Sequence, residues 1–386
     1  MSRSLPRQFA LPFLVCLSLA AAPMWAQRPD NDRQQRHPDD DRHEGGPDRT
    51  IAVDCTQGGS IQRALQRFPE RTEPITIEVH GFCEGPIDIS RQVVIRGTNP
   101  ATDGITGGAS LGNRTGLVVV YGVSGFGLAG AESVRFEHLT IKDSPNLGLT
   151  VNVAQVGLSD VVIRDNHNHG MLAFGAAYIF GDHVTATGNG GSGFLTSGGQ
   201  IRCDTCDISG NGVVNATAPA INAGPGQTFL WNSTVIGFNG IVVANGGELF
   251  LTGGSVTATQ RALNIQSAGL AFLQNNAQLS GGVFCGAQGL LDSRRGTGTN
   301  GLTQTSTGSG GSNQITYGCL FLAGAGTTTF AGQTTVSVGS YVGTDGGNQA
   351  IVQFSALNCL TGGKVTTNGG SIIVNNVPGI PAACGT

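Results

Sequence analysis

The sequence predicts an all-β chain: a parallel β-helix with three short strands per coil and about 22 residues per coil, closed at its N-terminal end by a short helix. Three observations carry this. Similar segments recur at a near-constant interval, each segment breaks into short runs of alternating apolar and polar residues, and the composition suits tight turns. Of 386 residues, 62 are glycine, and only 12% are charged, against about 25% in typical soluble chains. Glycine without the Gly-X-Y period of collagen fits a repeat whose turns need unusual backbone angles. The formal net charge of -4 offers no electrostatic footprint for nucleic acid.

The first 26 residues read as an export signal. Arg3 and Arg7 supply the positive region, Phe9 to Ala22 the apolar one, and Ala26 the cleavage site. The apolar stretch falls short of the ~20 residues a membrane span needs, and no later segment is long enough to cross. Residues 27–50, "RPDNDRQQRHPDDDRHEGGPDR" for the most part, are charged and nearly free of apolar groups, so they read as a disordered tether. A secreted or periplasmic/extracellular location follows, and no membrane-spanning role. Oligomeric state has no signature in the sequence.

"GGSIQRALQRF" (58–68) places Ser60 as helix N-cap with Ile61, Ala64, Leu65 and Phe68 on one face, which makes it the capping helix. "ITIEV" (75–79), "PIDI" (86–89) and "VVIRG" (93–97) then build the first coil. The repeat runs from there to residue 285. Aligning the stretches that begin at Val134, Val156 and Ile179 sets Leu139, Val161 and Val184 in one column, continued by Cys206, Thr234 and Val256. In the second stretch Val156 and Leu158, Val161 and Ile163, and Met171 and Ala173 alternate with polar residues, giving three strands with one face buried. A leucine-rich horseshoe has a similar period, but its recurring leucines are missing. Residues one coil apart then lie about 4.8 Å apart. Asn166, Asn189, Asn211 and Asn239 fall at one turn position, opened by Ser144, and predict a structural amide ladder. From 286 to 386 the pattern loosens into a less regular β continuation or cap. Residues 296–313 read there as a polar loop, and phenylalanine is expected to fill the interior.

Beyond Cys16 in the signal, eight cysteines remain. An even number in an exported chain favours disulfides, and eight allow 105 connectivities. The pairs nearest in sequence, 55 with 83, 203 with 206, 285 with 319 and 359 with 384, are the simplest set.

The export signal, the capping helix, "VVIRG" and the asparagine-bearing turns resemble the right-handed parallel β-helix proteins of the pectin-lyase-like superfamily over most of residues 51–285. The resemblance implies a single-stranded right-handed coil and a polysaccharide partner, with lyase- or epimerase-like activity on uronate polymers as one expectation. The family's catalytic motifs do not carry over. Of the polygalacturonase pattern only "NHG" (168–170) is similar, and the coil has no adjacent Asp pair. The pectate lyase Trp-Ile-Asp-His stretch is not found. The Asp-Pro-His-Asp motif of alginate epimerases is matched only loosely by "DNHN" (165–168).

Candidate chemistry is confined by charge. After Asp207 the only acidic or basic residues are Glu248, Arg261, Asp292, Arg294, Arg295, Asp345 and Lys364, so a site on the coil belongs between residues 132 and 207. One column there, His138, Asp160 and His183, alternates imidazole with carboxylate and suits general acid–base work. A second sets Lys142 over Arg164 and Asp143 over Asp165 as substrate contacts, with His167 and His169 following. Arg164 could neutralise a uronate carboxylate while His167 or His169 takes the neighbouring proton. Both columns also read as solvated turns with surface ion pairs, and that reading comes first. No cofactor motif is present. Calcium at Asp143, Asp160 and Asp165 has no motif behind it and wants six to eight oxygens. The rival to polysaccharide chemistry is a noncatalytic envelope or matrix protein with a structural or adhesive role.

Overall fold

The computed structural model describes residues 49–68, 74–108, 114–122, 134–294, 302–345 and 349–384. The export signal lies outside them, as does the tether up to residue 48. Arg49 and Thr50, assigned to the tether from sequence, already belong to the first strand, Arg49–Asp54. Among the described residues no helix is long and apolar enough to cross a membrane.

From that strand onward the chain winds as a parallel β-helix. One sheet, called sheet A here, stacks 14 strands in chain order from Arg49–Asp54 to Lys364–Asn368. A second sheet of 21 strands carries the remaining sides. In sheet A Val134, Val156 and Ile179 are direct neighbours, and Leu149, Met171 and Phe194 are neighbours in the second sheet. All six are fully buried. Alternation thus sends every second side chain into one continuous core. The capping helix spans Ile61–Gln66, with the Ser60 hydroxyl accepting from the Arg63 N–H at 3.3 Å and Ile61, Ala64 and Leu65 buried.

The corners between strands demand a particular backbone. His138, Asp160, His183, Thr205 and Asn232 all have φ between 47° and 53°, and Asp143 and Asp165 have 57° and 55°. This left-handed region is costly for most residues, and Asn, Asp, His and Gly occupy it most readily. The next coils use Gly188 and Gly210 at the Asp143/Asp165 corner.

Just past that corner runs the amide ladder. Asn166 Oδ1 accepts from the Ser144 N–H at 3.0 Å. Asn189 Oδ1 accepts from both the N–H and the side-chain amide of Asn166, at 3.2 and 2.8 Å, and Asn211 Oδ1 accepts from the same two groups of Asn189 at the same distances. Asn239 is not a member. It sits within the strand Thr234–Val243, paired with Pro219 and Arg261, and its amide donates to the Thr217 carbonyl. The loop that follows Asn211 shifts the phase. From Thr234 on, the second and third strands of a coil fuse across a bulge between Gly237 and Asn239, so the corner the ladder serves no longer exists.

The same shift corrects the repeat alignment. Leu139, Val161, Val184 and Cys206 do share a column, but its next members are Ser233 and Gly254, one residue before Thr234 and two before Val256. Buried Ser233 replaces an apolar residue because its hydroxyl accepts from the Cys206 N–H at 3.1 Å and donates to the Trp231 carbonyl at 2.8 Å.

Coiling continues past residue 285. Within the stretch read as a polar loop, Leu302–Ser306 is a strand, and a second strand, Ser312–Ile315, begins at its end. Their polarity misleads because Gln304 and Asn313 are buried against each other, with paired amide hydrogen bonds of 2.8 Å. The last sheet edge is covered by Val377–Pro378, antiparallel to Ser371–Val374. All four sequence-local disulfides are formed. Gly181 makes room for one of them, since a Cβ there would meet Cys203 Sγ at 2.9 Å.

Two stability outcomes follow. Asn189→Ala removes the acceptor for both Asn166 donors and strands buried polar groups, so it should cost at least about 2 kcal/mol, while Asn239→Ala stays near neutral; thermal unfolding followed by circular dichroism compares them. Asp103 is the second case. Burial would raise its pKa, but the Thr98 hydroxyl and the N–H groups of Thr98, Gly81 and Asn99 outweigh burial and hold it at about 2. A depressed carboxylate stabilises fully above its unfolded value near ~3.9 and loses that contribution as pH falls towards the folded one. Asp103→Asn should therefore lower the unfolding temperature at neutral pH and narrow the gap to wild type near pH ~2.

Candidate functional site

The corner column of His138, Asp160 and His183 is exposed on three successive coils of sheet A. His138 Nδ1 lies 3.4 Å from an Asp160 carboxylate oxygen. His183 does not complete a triad. Its Nδ1 is 2.8 Å from Asp182, the residue before it. The structure therefore offers two separate exposed His–Asp pairs, and the side chains are more than 45% accessible in each.

The second column lies at the opposite end of the three-residue strands that follow, five residues along the chain. At ~3.3 Å per residue the two columns stand roughly 15 Å apart, too far to act on one atom. Lys142 and Arg164 are neighbours in register, as expected. Each turns to its own successor: Lys142 Nζ to Asp143 at 3.3 Å and Arg164 to Asp165. Lys142 also lies over the Phe82 ring, 4.2 Å from its centre. Asp143 accepts from the Thr106 hydroxyl one coil below, whereas the Asp165 carboxylate rests against Gly188 one coil above. The two acids diverge. They line an open groove of about 340 Å³ with exposed His167, Pro145, Val213 and Val214. Asp160, at the other corner, is no neighbour of theirs, and among the described residues no three His, Cys, Asp or Glu side chains gather to hold a metal ion. The calcium set of Asp143, Asp160 and Asp165 does not assemble.

His169 is withdrawn from acid–base work. Burial lowers its pKa, and the Ser192 N–H donates to its Nδ1 at 2.8 Å. With that lone pair occupied, the neutral ring carries its proton on Nε2 and has no free acceptor. Arg164 as neutraliser and His169 as base are each already committed to a structural partner.

Sheet A presents a second surface that the sequence reading missed. Its outward positions run Arg135, Gly157, Phe180, Arg202, Phe229, Phe250 and Phe272 along one column. Phe229 and Phe250 stack with centres 4.5 Å apart, Phe250 and Phe272 at 4.7 Å, and Trp231 lies parallel to Phe229 at 5.6 Å. Arg202 covers the Trp231 ring at 4.4 Å. Phe136, Phe194, Phe321 and Phe330 do fill the interior; of the outward column Phe180, Phe229 and Phe250 are only half-buried, whereas Phe272 at its end is buried. On the other side of the rings Gln200 donates to Gln227 at 2.8 Å, and Gln227 to Glu248 at 2.9 Å. A signal was present: Phe-Leu recurs at 229–230, 250–251 and 272–273, and only one phase of an alternating strand can be inside.

No family model matches the chain, and no curated protein matches it. Solved structures overlap it in part. The gp42 tailspike of an Acinetobacter phage is 12% identical with a TM-score of 0.48, covering 88% of this chain and 65% of its own, so this chain spans less than two thirds of the tailspike. The catalytic domain of an α-1,3-glucanase is 13% identical (TM-score 0.39, 85% of this chain and 70% of its own), and pectate lyase Pel9A is 9% identical (0.35, 84% and 78%). The parallel β-helix assignment rests on the strand register described above.

His169 supplies a pH test. Its folded pKa lies below the unfolded value, so its contribution is complete above about 6.5 and is lost as pH falls further. His169→Gln should flatten the loss of stability of wild type between neutral pH and pH ~5, read as unfolding temperature against pH. An unchanged slope would show that the ring is not held neutral.

Proposed function

We propose that this protein is exported and contacts polysaccharide along the outer face of sheet A, as a binding or adhesive rod rather than a uronate lyase or epimerase. The observation that carries the reading is the half-buried aromatic strip from Arg202 and Trp231 through Phe229 to Phe250, backed at its far end by buried Phe272 and flanked by the Gln200–Gln227–Glu248 rail. An extended apolar patch on a soluble surface marks a binding site. The stacked rings give their faces to one another and their edges outward, so the strip is apolar and straight. Beside it, hydrogen-bonded amides offer donors and acceptors at one-coil intervals. A polysaccharide chain has the matching character, with apolar C–H patches alternating with hydroxyl groups along a linear polymer. Export is supported by the N-terminal sequence and by four disulfides, which persist in oxidising compartments. The commitment of Arg164 to Asp165 and of His169 to Ser192 favours the noncatalytic role.

Affinity electrophoresis of the full chain through gels containing soluble polysaccharides tests this. Wild type should be retarded by at least one polymer, and Trp231→Ala with Phe250→Ala should lose about tenfold or more in affinity at unchanged far-ultraviolet circular dichroism. Incubation with polygalacturonate or alginate should release no unsaturated ends. Retardation untouched by the double substitution would reject the strip as the contact surface.

A further inference from the structure

Resting on that reading of sheet A, we infer that a recess beside Phe180 is a subsite for a single uncharged pyranose ring, and that its carboxylates turn away uronates. The recess lies on the same outward face, at the N-terminal end of the aromatic strip. It is formed by Arg135, Glu137, Gly157, Ser159, Phe180 and Asp182, and holds about 270 Å³. That is just under the ~300 Å³ at which small-molecule pockets begin, which suits one sugar ring rather than an oligosaccharide.

Register explains why a recess exists here. Gly157 stands between Arg135 on one coil and Phe180 on the next, so no side chain separates them. The adjoining outward column is Glu137, Ser159, Asp182, a hydroxyl between two acids. Phe180 supplies an apolar wall, and Tyr178 braces it with ring centres 5.4 Å apart. Arg96 Nε holds Glu137 at 2.7 Å, and His183 Nδ1 holds Asp182 at 2.8 Å, so both carboxylates are positioned and keep lone pairs for incoming hydroxyls. Sugar hydroxyls donate well to such acceptors. A uronate brings a third negative charge next to two already present; Arg135 is the one cation in the recess lining, so the lining keeps a net negative charge that is repulsive at contact distance. The strip beyond, where Glu248 is the only acid among the ring and amide residues, adds no compensating positive charge except Arg202, which lies on Trp231.

The same electrophoresis decides it, with neutral glucans, mannans and galactans set against polygalacturonate and alginate. Wild type should bind a neutral polymer at least about tenfold more tightly than either uronate. Phe180→Ala should weaken the neutral interaction, and Ser159→Lys, which sets a cation between the two acids, should move preference towards uronates. Glu137→Gln with Asp182→Asn provides the conservative version, with circular dichroism as the fold control. Tighter binding of uronates by wild type overturns the inference. So does binding that Trp231→Ala abolishes but Phe180→Ala and Ser159→Lys leave untouched, which keeps the strip and removes the subsite. Failure to bind any polymer overturns both.

Discussion

Each coil of this chain finds its hydrogen-bond partners in the coils above and below, and that one constraint governs everything else. Parallel pairing fixes the spacing at about 4.8 Å and holds the phase along each strand, with shifts confined to loops and bulges such as that between Gly237 and Asn239, because a slip of one residue would turn the buried side chains outward. Val134, Val156 and Ile179 hold to it, and so do Ile141, Ile163, Ala186 and Ile208 a corner later. Once phase is imposed, like residues must stack, and amide ladders and aromatic strips become the natural way to fill a column.

The corners are where the constraint meets backbone chemistry. A coil that closes in about 22 residues has to turn sharply, and it does so through left-handed residues. His138, Asp143, Asp160, Asp165 and His183 stand at such points. Their residue types therefore satisfy a conformational demand first, and the charges come with them. The ion pairs they form, Lys142 with Asp143 and Arg164 with Asp165, are local and partly exposed, which makes them weak contributors to stability. Ionisable residues cluster here without converging on one point.

A flat sheet face behaves differently. Its outward side chains need no special backbone angle, so their identity is free to answer to a partner. The ring strip, the glutamine rail and the recess at Gly157 all belong to sheet A, and they form one continuous surface along the axis. Binding on such a face follows the repeat, one contact per coil, and suits a partner that is itself a repeating chain.

Several features were legible in the amino-acid order alone: the coil, the capping helix, the disulfide pairs as the simplest set, and the ladder from Ser144 to Asn211. They depend on periodicity and local spacing, which are properties of sequence. Three-dimensional structure decided the rest. The loop after Asn211 changed the phase, so Asn239 left the ladder and Ser233 took the place given to Thr234. Buried Gln304 and Asn313 looked like loop residues because nothing in the sequence shows that they pair with each other and with Gly281, Val283 and Ala331 on neighbouring coils. The Phe-Leu recurrence showed that one residue of each pair faces outward, and register decided that at Phe229 and Phe250 it is the phenylalanine. His183 turned to Asp182, and His169 to Ser192, because a side chain's direction is set by what surrounds it after the coils have stacked.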